Sequence, residues 1–319
     1  MTSNEGNVHL GLGLSGKVLR AVEAEKHADR LVIKSVAEAT LDHPFDASAV
    51  DNPDFIAHTA QVINDKLDDR SIRAQTVYLA LDRRLVLLKL IKVDRGISDA
   101  ELQDHVEWEV NQMLASPRDE FNVGVEKLDY QSDEYETILI AAVRKQLLEQ
   151  LRDLFIRTPL NLSKVDLDVL AAVRGLRGFG HRHPDALAAL VDFNSFGIDF
   201  TLIQNGKYAG SSEIATKMND KHGLDSDPQS VAQMVDEELK KLIEPLFAGQ
   251  HSRSFDTIYL SGDRADMEFI PYLQKRLQTA DIRFADPFQN TEMFLGADSD
   301  PLVNNNPENF LIPVGMVMS

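Results

Sequence analysis

The sequence contains no cysteine, which removes disulfides, thiolate nucleophiles and zinc–cysteine sites from consideration. Basic residues are scarce beside acidic ones, 33 Lys and Arg against 51 Asp and Glu, for a formal charge of −18. No basic run offsets that repulsion, so unassisted binding to nucleic acid or to an anionic membrane surface is not expected. No stretch approaches the ~18 apolar residues of a membrane span, and residues 1–10 lack the basic flank and apolar centre of a secretory leader. What is present is 319 residues with 43% hydrophobic content, enough for two domains or one large bilobal one. The expectation is a cytoplasmic protein whose partners are proteins or small ligands.

The stretch GLGLSGKV at residues 11–18 imitates two phosphate-binding patterns. Gly11, Gly16 and Lys17 trace a P-loop, but the residue after the lysine is Val18, which has no hydroxyl to offer Mg²⁺. Gly11, Gly13 and Gly16 trace a dinucleotide-binding turn, with Glu38 as the distant acid, and that reading needs a helix to begin at the third glycine. Val8, Leu10, Leu12 and Leu14 alternate with small or polar residues, the period of a strand with one buried face. Residues 18–25 fit either a helix of about two turns or a second strand. Two turns is short for a crossover, so a hairpin followed by a third strand over residues 30–41 is the better fit.

Further along, residues 52–67 carry apolar side chains at helical spacing, and residues 76–93 read as two strands about an Asp82-Arg83-Arg84 turn. Ser98 and Glu101 form a capping box opening a helix to about Leu114. Leu102, Val106, Glu109, Val110 and Met113 share one face of it, and Trp108, the only tryptophan, lies off that face. Packing at a domain contact is the expected use of Trp108, with partner binding as the alternative. Two strands and a helix over residues 145–158 complete a module. Residues 186–212 then repeat the design of residues 8–42: strand, polar turn near glycine, strand, Asn205-Gly206 turn, strand. Two such halves suggest a bilobal α/β fold with the first turn of each facing one cleft.

Other candidate sites read as structural. His181, Arg182 and His183 lack supporting ligands and read as a solvated loop. Asp166 and Asp168 precede an apolar helix and fit N-terminal capping. No G-x-S-x-G or separable Ser-His-Asp set occurs among the 9 histidines. The segment from Val235 on reads as an outer amphipathic helix, and residues 296–309 as a flexible loop.

Taken in order, AELQDHVEWEVNQMLASPRDEFNV, LIAAVRKQLLEQL, SKVDLDVLAAVR, DTIYLSGDRADMEFIPYLQKRL, ADPF and FLIPVGMVM resemble the type IV pilus assembly protein PilM family of the actin-like, FtsA-like superfamily. The likeness runs from about Val8 to the C-terminus. It implies an actin-like ATPase fold with an inserted α+β subdomain. The first lobe would comprise residues 1–75 and 145–185, with 310–319 returning to it. The inserted subdomain would span 76–144, and the second lobe 186–309.

The resemblance implies a nucleotide cleft at Gly13, Ser15, Gly16, Lys17, Asp192, Asn194, Gly197, Ser261, Gly262 and Asp263. In the family the first turn carries an aspartate with glycine two residues on; Gly13 and Ser15 stand there instead. Asp192 keeps the acid of the second lobe, but Asn194 replaces the following glycine, and the usual double glycine of the third loop is reduced to Gly262 before Asp263. An absent acid for Mg²⁺ and added side-chain bulk at the phosphates imply ATP/Mg chemistry that is weakened or lost, with no catalytic residue and no metal. The implied role is a scaffold of a pilus inner-membrane complex, reaching the membrane only through a partner. Its partners would be the N-terminal tail of a PilN-like membrane protein, the motor ATPases and other copies of the chain. The alternatives are an active ATP-binding protein of the FtsA kind, or the cytoplasmic domain of a GspL-like type II secretion protein, whose family continues into a membrane span.

Overall fold

Alternation of leucine with glycine over residues 10–14 produces a strand in the computed structural model. That structure describes residues 7–27, 31–128, 134–176, 187–215, 218–219, 223–224, 227–244, 254–265, 267–277, 280–288, 293–295 and 300–319. The chain opens with a meander of β1 (Asn7–Ser15), β2 (Val18–Lys26) and β3 (Leu31–Thr40), then α1 (Ala47–Val50), α2 (Pro53–Asp69) and β4 (Thr76–Leu81). Next come β5 (Val86–Asp94), α3 (Asp99–Met113), β6 (Phe121–Leu128), β7 (Tyr135–Arg144), α4 (Lys145–Ile156), β8 (Asn161–Leu167) and α5 (Asp168–Gly175). A second meander of β9 (Leu187–Asn194), β10 (Gly197–Gln204) and β11 (Lys207–Ala215) is followed by the short pair β12 (Met218–Asn219) and β13 (Gly223–Leu224). The chain continues through α6 (Pro228–Ile243), β14 (Thr257–Ser261), α7 (Ile270–Arg276), β15 (Asp281–Phe284), β16 (Met293–Leu295), α8 (Pro301–Asn305) and α9 (Leu311–Val317).

The expected hairpin is present, with β1 and β2 paired antiparallel from Asn7↔Lys26 to Ser15↔Val18. Gly16 supplies the positive φ, 57°, that closes it. The repeat runs deeper than the meanders. One sheet has the order β16-β3-β2-β1-β4-β8 and the other β11-β10-β9-β14-β15. In each, an antiparallel meander is extended on its first strand by two parallel strands. Separate apolar cores fill the two halves, one built on Leu10, Leu12, Ile63 and Leu151, the other on Phe193, Phe200, Val235 and Ile258.

Two domain boundaries differ from expectation. Strand β4 pairs in parallel with β1 and β8, so residues 76–81 belong to the first large sheet rather than to the inserted module. The separate three-stranded sheet, order β5-β7-β6, begins at Val86, and α3 covers one of its faces through Val106 and Val110. The turn at Arg83–Leu85 is therefore a passage between sheets, not the tip of a hairpin. At the other end, β16 joins β3 of the first sheet and Val303 packs with Val22 and Ile33, so this stretch leaves the second lobe. Of the expected loop at 296–309, residues 296–299 lie outside the described residues, and the remainder contains α8, capped by Asp300, and the start of a 3-10 turn over Pro307–Phe310. Trp108 is 58% exposed, its ring tilted against that of His105 on the same helix, rather than packed at a domain contact.

Both faces of β1 are covered, not one. Its leucines enter the first core; its glycine face lies under α9. A Cβ on Gly11 would collide with the Pro313 carbonyl, and one on Gly13 would come within 3.2 Å of Ile312. On its other side α9 meets α5 equally closely: a Cβ on Gly315 would strike the Ala171 carbonyl, and one on Gly175 the Leu311 carbonyl. Leu311, Val314, Met316 and Val317 are almost wholly buried, each removing apolar surface worth ~1.5–3 kcal/mol. Gly315→Ala is expected to lower unfolding stability in urea by about 2 kcal/mol or more, because backbone must shift to admit the methyl group. Gly124→Ala is the control: its Cβ meets nothing within 4 Å, and stability should be unchanged or slightly raised.

Candidate functional site

In an open α/β sheet the carboxyl ends of the parallel strands mark where ligands bind. Here the C-terminal ends of β4, β8 and β14 deliver Asp82, Asp168 and residues 261–263 to one place between the two large sheets. The first turn of each meander arrives there as well. The resulting cleft is lined by Ser15, Asp192, Asn194, Ser261, Gly262 and Asp263 from the expected set. Gly16 abuts it from the β1–β2 turn. Gly13 lies beneath Ile312, Lys17 points to solvent while its carbonyl accepts from the Leu41 N–H at 2.7 Å, and Gly197 opens β10; none of these three lines the cleft. His181, Arg182 and His183 lie outside the described residues.

The cleft encloses only about 50 Å³, against the ~300–1,000 Å³ of ordinary ligand pockets. Its polar groups are spent on one another. The two meander turns touch: Gly16 has no room for a Cβ because the Ser195 hydroxyl lies against it. Asp192 accepts from the Ser261 hydroxyl at 2.7 Å and from Asn194 Nδ2 at 3.0 Å, and Asn194 also donates to Asp199 at 2.7 Å. Asp263 forms an ion pair across the cleft with Arg20 of β2, whose Nε holds Glu38 at 2.7 Å. Among the described residues no histidine lines the cleft beside the Ser261–Asp192 contact. The two meander turns are thus in contact, and Gly262, at φ 97°, is pressed onto the Phe193 backbone.

A second group of cleft residues has no counterpart in the expected set: Arg20, Arg83, Asp199 and Glu308, with Asp82 and Arg84 beside them. Asp168 is here too, but not as the expected helix cap. The cap position of α5 is Leu167, Asp168 accepts from the Arg83 N–H at 3.2 Å, and Asp166 pairs with Arg174 at 2.8 Å. The signal in the sequence was the run Asp82-Arg83-Arg84, three charges between two apolar strands. Arg83 donates to the Ser212 carbonyl at 2.8 Å, and Arg84 bridges Asp82 at 2.7 Å and Asp199 at 3.1 Å with its guanidinium 4.2 Å over the Phe196 ring. This turn thereby ties the first lobe to the second.

Charge is crowded at this junction. Burial pushes the Asp168 carboxyl well above the usual range, and the neighbouring Asp82 charge adds to it. Burial likewise raises Asp199 to about 6; Arg84 opposes the rise, while Asp192 and Asp82 reinforce it. Glu308 is raised by burial and by Asp286. Burial works against the charge of Arg84, but Asp82 and Asp199 outweigh it and hold the guanidinium more firmly protonated than usual. A carboxyl whose folded-state pKa lies above its unfolded value withdraws stability as it ionises. For Asp199 that loss begins near 3.8 and is complete above about 6. Asp199→Asn is therefore expected to gain stability over wild type through that window, by roughly 2–3 kcal/mol in total, read as diverging urea midpoints at pH 4 and pH 7.5.

Comparison with known proteins places this geometry. The chain can be superposed on a solved structure described as a PilM-PilN type IV pilus biogenesis complex with a TM-score of 0.72, at 18% identity over 97% of each chain. A Bacteroides thetaiotaomicron protein with an actin-like ATPase fold and unknown function gives 0.51 at 11% identity, over 88% of this chain and 92% of that one. The cytoplasmic domain of EpsL, an inner-membrane component of the Vibrio cholerae type II secretion system, gives 0.46 at 10% identity, over 98% and 94%. The first two establish the actin-like fold. The family model for type IV pilus assembly protein PilM matches residues 11–215, well over half of the sequence, and the chain belongs to that family.

Proposed function

We propose that this chain is a cytoplasmic scaffold of a type IV pilus or related inner-membrane assembly complex, and that it holds the N-terminal tail of a PilN-like membrane protein. The observation that carries the reading is a groove of about 490 Å³ at the junction of the inserted sheet with the first lobe. One wall is β5 and β7 of the small sheet, presenting Leu87 and Ala142; the other is α1 with α4, presenting Ala47 and Leu147. Leu87 is 42% exposed there, an apolar side chain awaiting cover. Gln146 and Gln150 both donate to Asp51, at 3.0 and 2.8 Å, so the polar rim is already ordered. An apolar floor with an ordered polar rim suits an extended peptide with apolar anchors. The solved PilM-PilN complex supports the choice of partner.

No helix among the described residues is long and apolar enough to cross a membrane, which agrees with membrane attachment through that partner. Association with motor ATPases and with further copies of the chain belongs to the same proposal. The nucleotide chemistry of the fold is, on this reading, weakened or lost, because the cleft residues bond to each other and the turns that would cradle phosphate are in contact.

Two measurements test the proposal. Leu87→Asp should weaken binding of a synthetic partner-tail peptide at least tenfold in calorimetric titration with the melting temperature unchanged; undiminished binding would move the tail elsewhere. The same titration with Mg-ATP should give no heat of binding and no phosphate release. Tight binding with turnover would instead favour an active ATPase of the FtsA kind.

A further inference from the structure

A second groove, also of about 490 Å³, lies on the other flank of β5, between the inserted sheet and the second lobe. Its walls are the edge strands of two sheets, β5 and β11, with Leu242 of α6 closing it. Strand β5 keeps an unbroken register with β7 from Val86↔Val143 to Asp94↔Tyr135. Among the described residues no backbone group of β5 bonds outward from the sheet along this stretch. The β11 edge is less available. Arg83 already occupies the Ser212 carbonyl, and a bulge breaks the register of β11 with β10 at Leu202/Ile203.

The charged side chains that line the groove are all basic. Arg83, Lys89 and Lys92 line it and no Asp or Glu does, although the chain as a whole carries −18. Arg83 pairs with Glu213 at 4.0 Å and Lys89 with Glu109 at 2.5 Å. The Lys92 ammonium sits 4.5 Å over the Tyr135 ring and pairs with no carboxylate among the described residues. Leu88, Leu90 and Leu139 supply an apolar floor between the cations. Lysines on an edge strand discourage indiscriminate pairing; they leave the edge open to a strand that brings acids of its own.

We propose that this groove is a second docking site, which takes an extended acidic segment of a partner protein as an added strand on β5. Backbone hydrogen bonds to β5 supply affinity, alternate apolar side chains enter the leucine floor, and acidic side chains face Lys92. The seven residues 86–92 span about 20 Å at ~3.3 Å each, room for one short strand.

The test is a titration of a fluorescein-labelled synthetic peptide alternating Glu with Val against the intact chain, followed by anisotropy, beside a peptide alternating Lys with Val. The Glu peptide should bind, more weakly as salt rises, and should slow amide exchange over residues 88–92; the Lys peptide should not bind. Lys92→Glu, at an exposed position, should cost at least tenfold in affinity while the partner-tail titration is unaffected, which separates this site from the first groove. Val125→Asp, on the opposite edge strand β6, should change nothing. Equal binding of the Lys peptide, indifference to Lys92→Glu or loss with Val125→Asp would overturn the proposal. So would a doubling of mass by light scattering that Lys92→Glu abolishes without any peptide binding, since a second copy would then be the occupant.

Discussion

The structure depends on the insertion of α9 between β1 and α5. Its backbone comes so close to both that side chains are excluded at Gly11, Gly175 and Gly315, and four of its apolar residues are almost wholly buried. Chain that has traversed the second lobe thus returns to seal the second face of the first strand. Everything between β1 and α9 is closed into one loop by that contact. The carboxyl ends of β1 and β4, the start of α5 and the residues before α9 are thereby held in one place, which is where the cleft forms.

What occupies that place is a lock of side chains, not an open pocket. Arg20 with Asp263, Arg84 with Asp199, Arg83 with the Ser212 carbonyl and the touching meander turns all cross from one large sheet to the other. Charge pairs taken out of water are expensive unless each is satisfied by several partners; Arg84 has two carboxylates, and Asn194 joins Asp192 to Asp199. The raised Asp168 and Asp199 show that the compensation is incomplete. The polar side chains between the lobes bond chiefly to one another.

Much of this was legible in the residue order. Period-two alternation in β1 and the Asn205-Gly206 turn announced the two meanders, and the capping box at Ser98 announced α3, because each is a local signal. The inserted module was legible as a string of elements but not in its boundary. Residues 76–81 look like one arm of a hairpin with 86–94; only pairing with β1, far away in sequence, assigns them to the larger sheet. The glycines of residues 11–16 were misleading for the same reason. They satisfy phosphate-loop patterns, yet Gly11 and Gly13 answer to Pro313 and Ile312, some three hundred residues on. Asp199 and Glu308 gave no sign, since their importance comes from burial beside other charges.

The short turn of Asp82, Arg83 and Arg84 connects more than two strands. Arg83 lines the cleft and the groove beside β11, while Arg84 lines the groove beside α4 and is anchored through Asp82 and Asp199 to the base of the cleft. Three cavities thus share one joint whose backbone is fixed by a single 3-10 turn. Free energies of binding at sites that share a movable element are reciprocal: if one occupant shifts the turn, its effect on a second must equal the second's effect on it. For a protein whose cleft is crossed by its own side-chain pairs, that reciprocity makes one short turn the common hinge through which an occupant of either groove acts on the other.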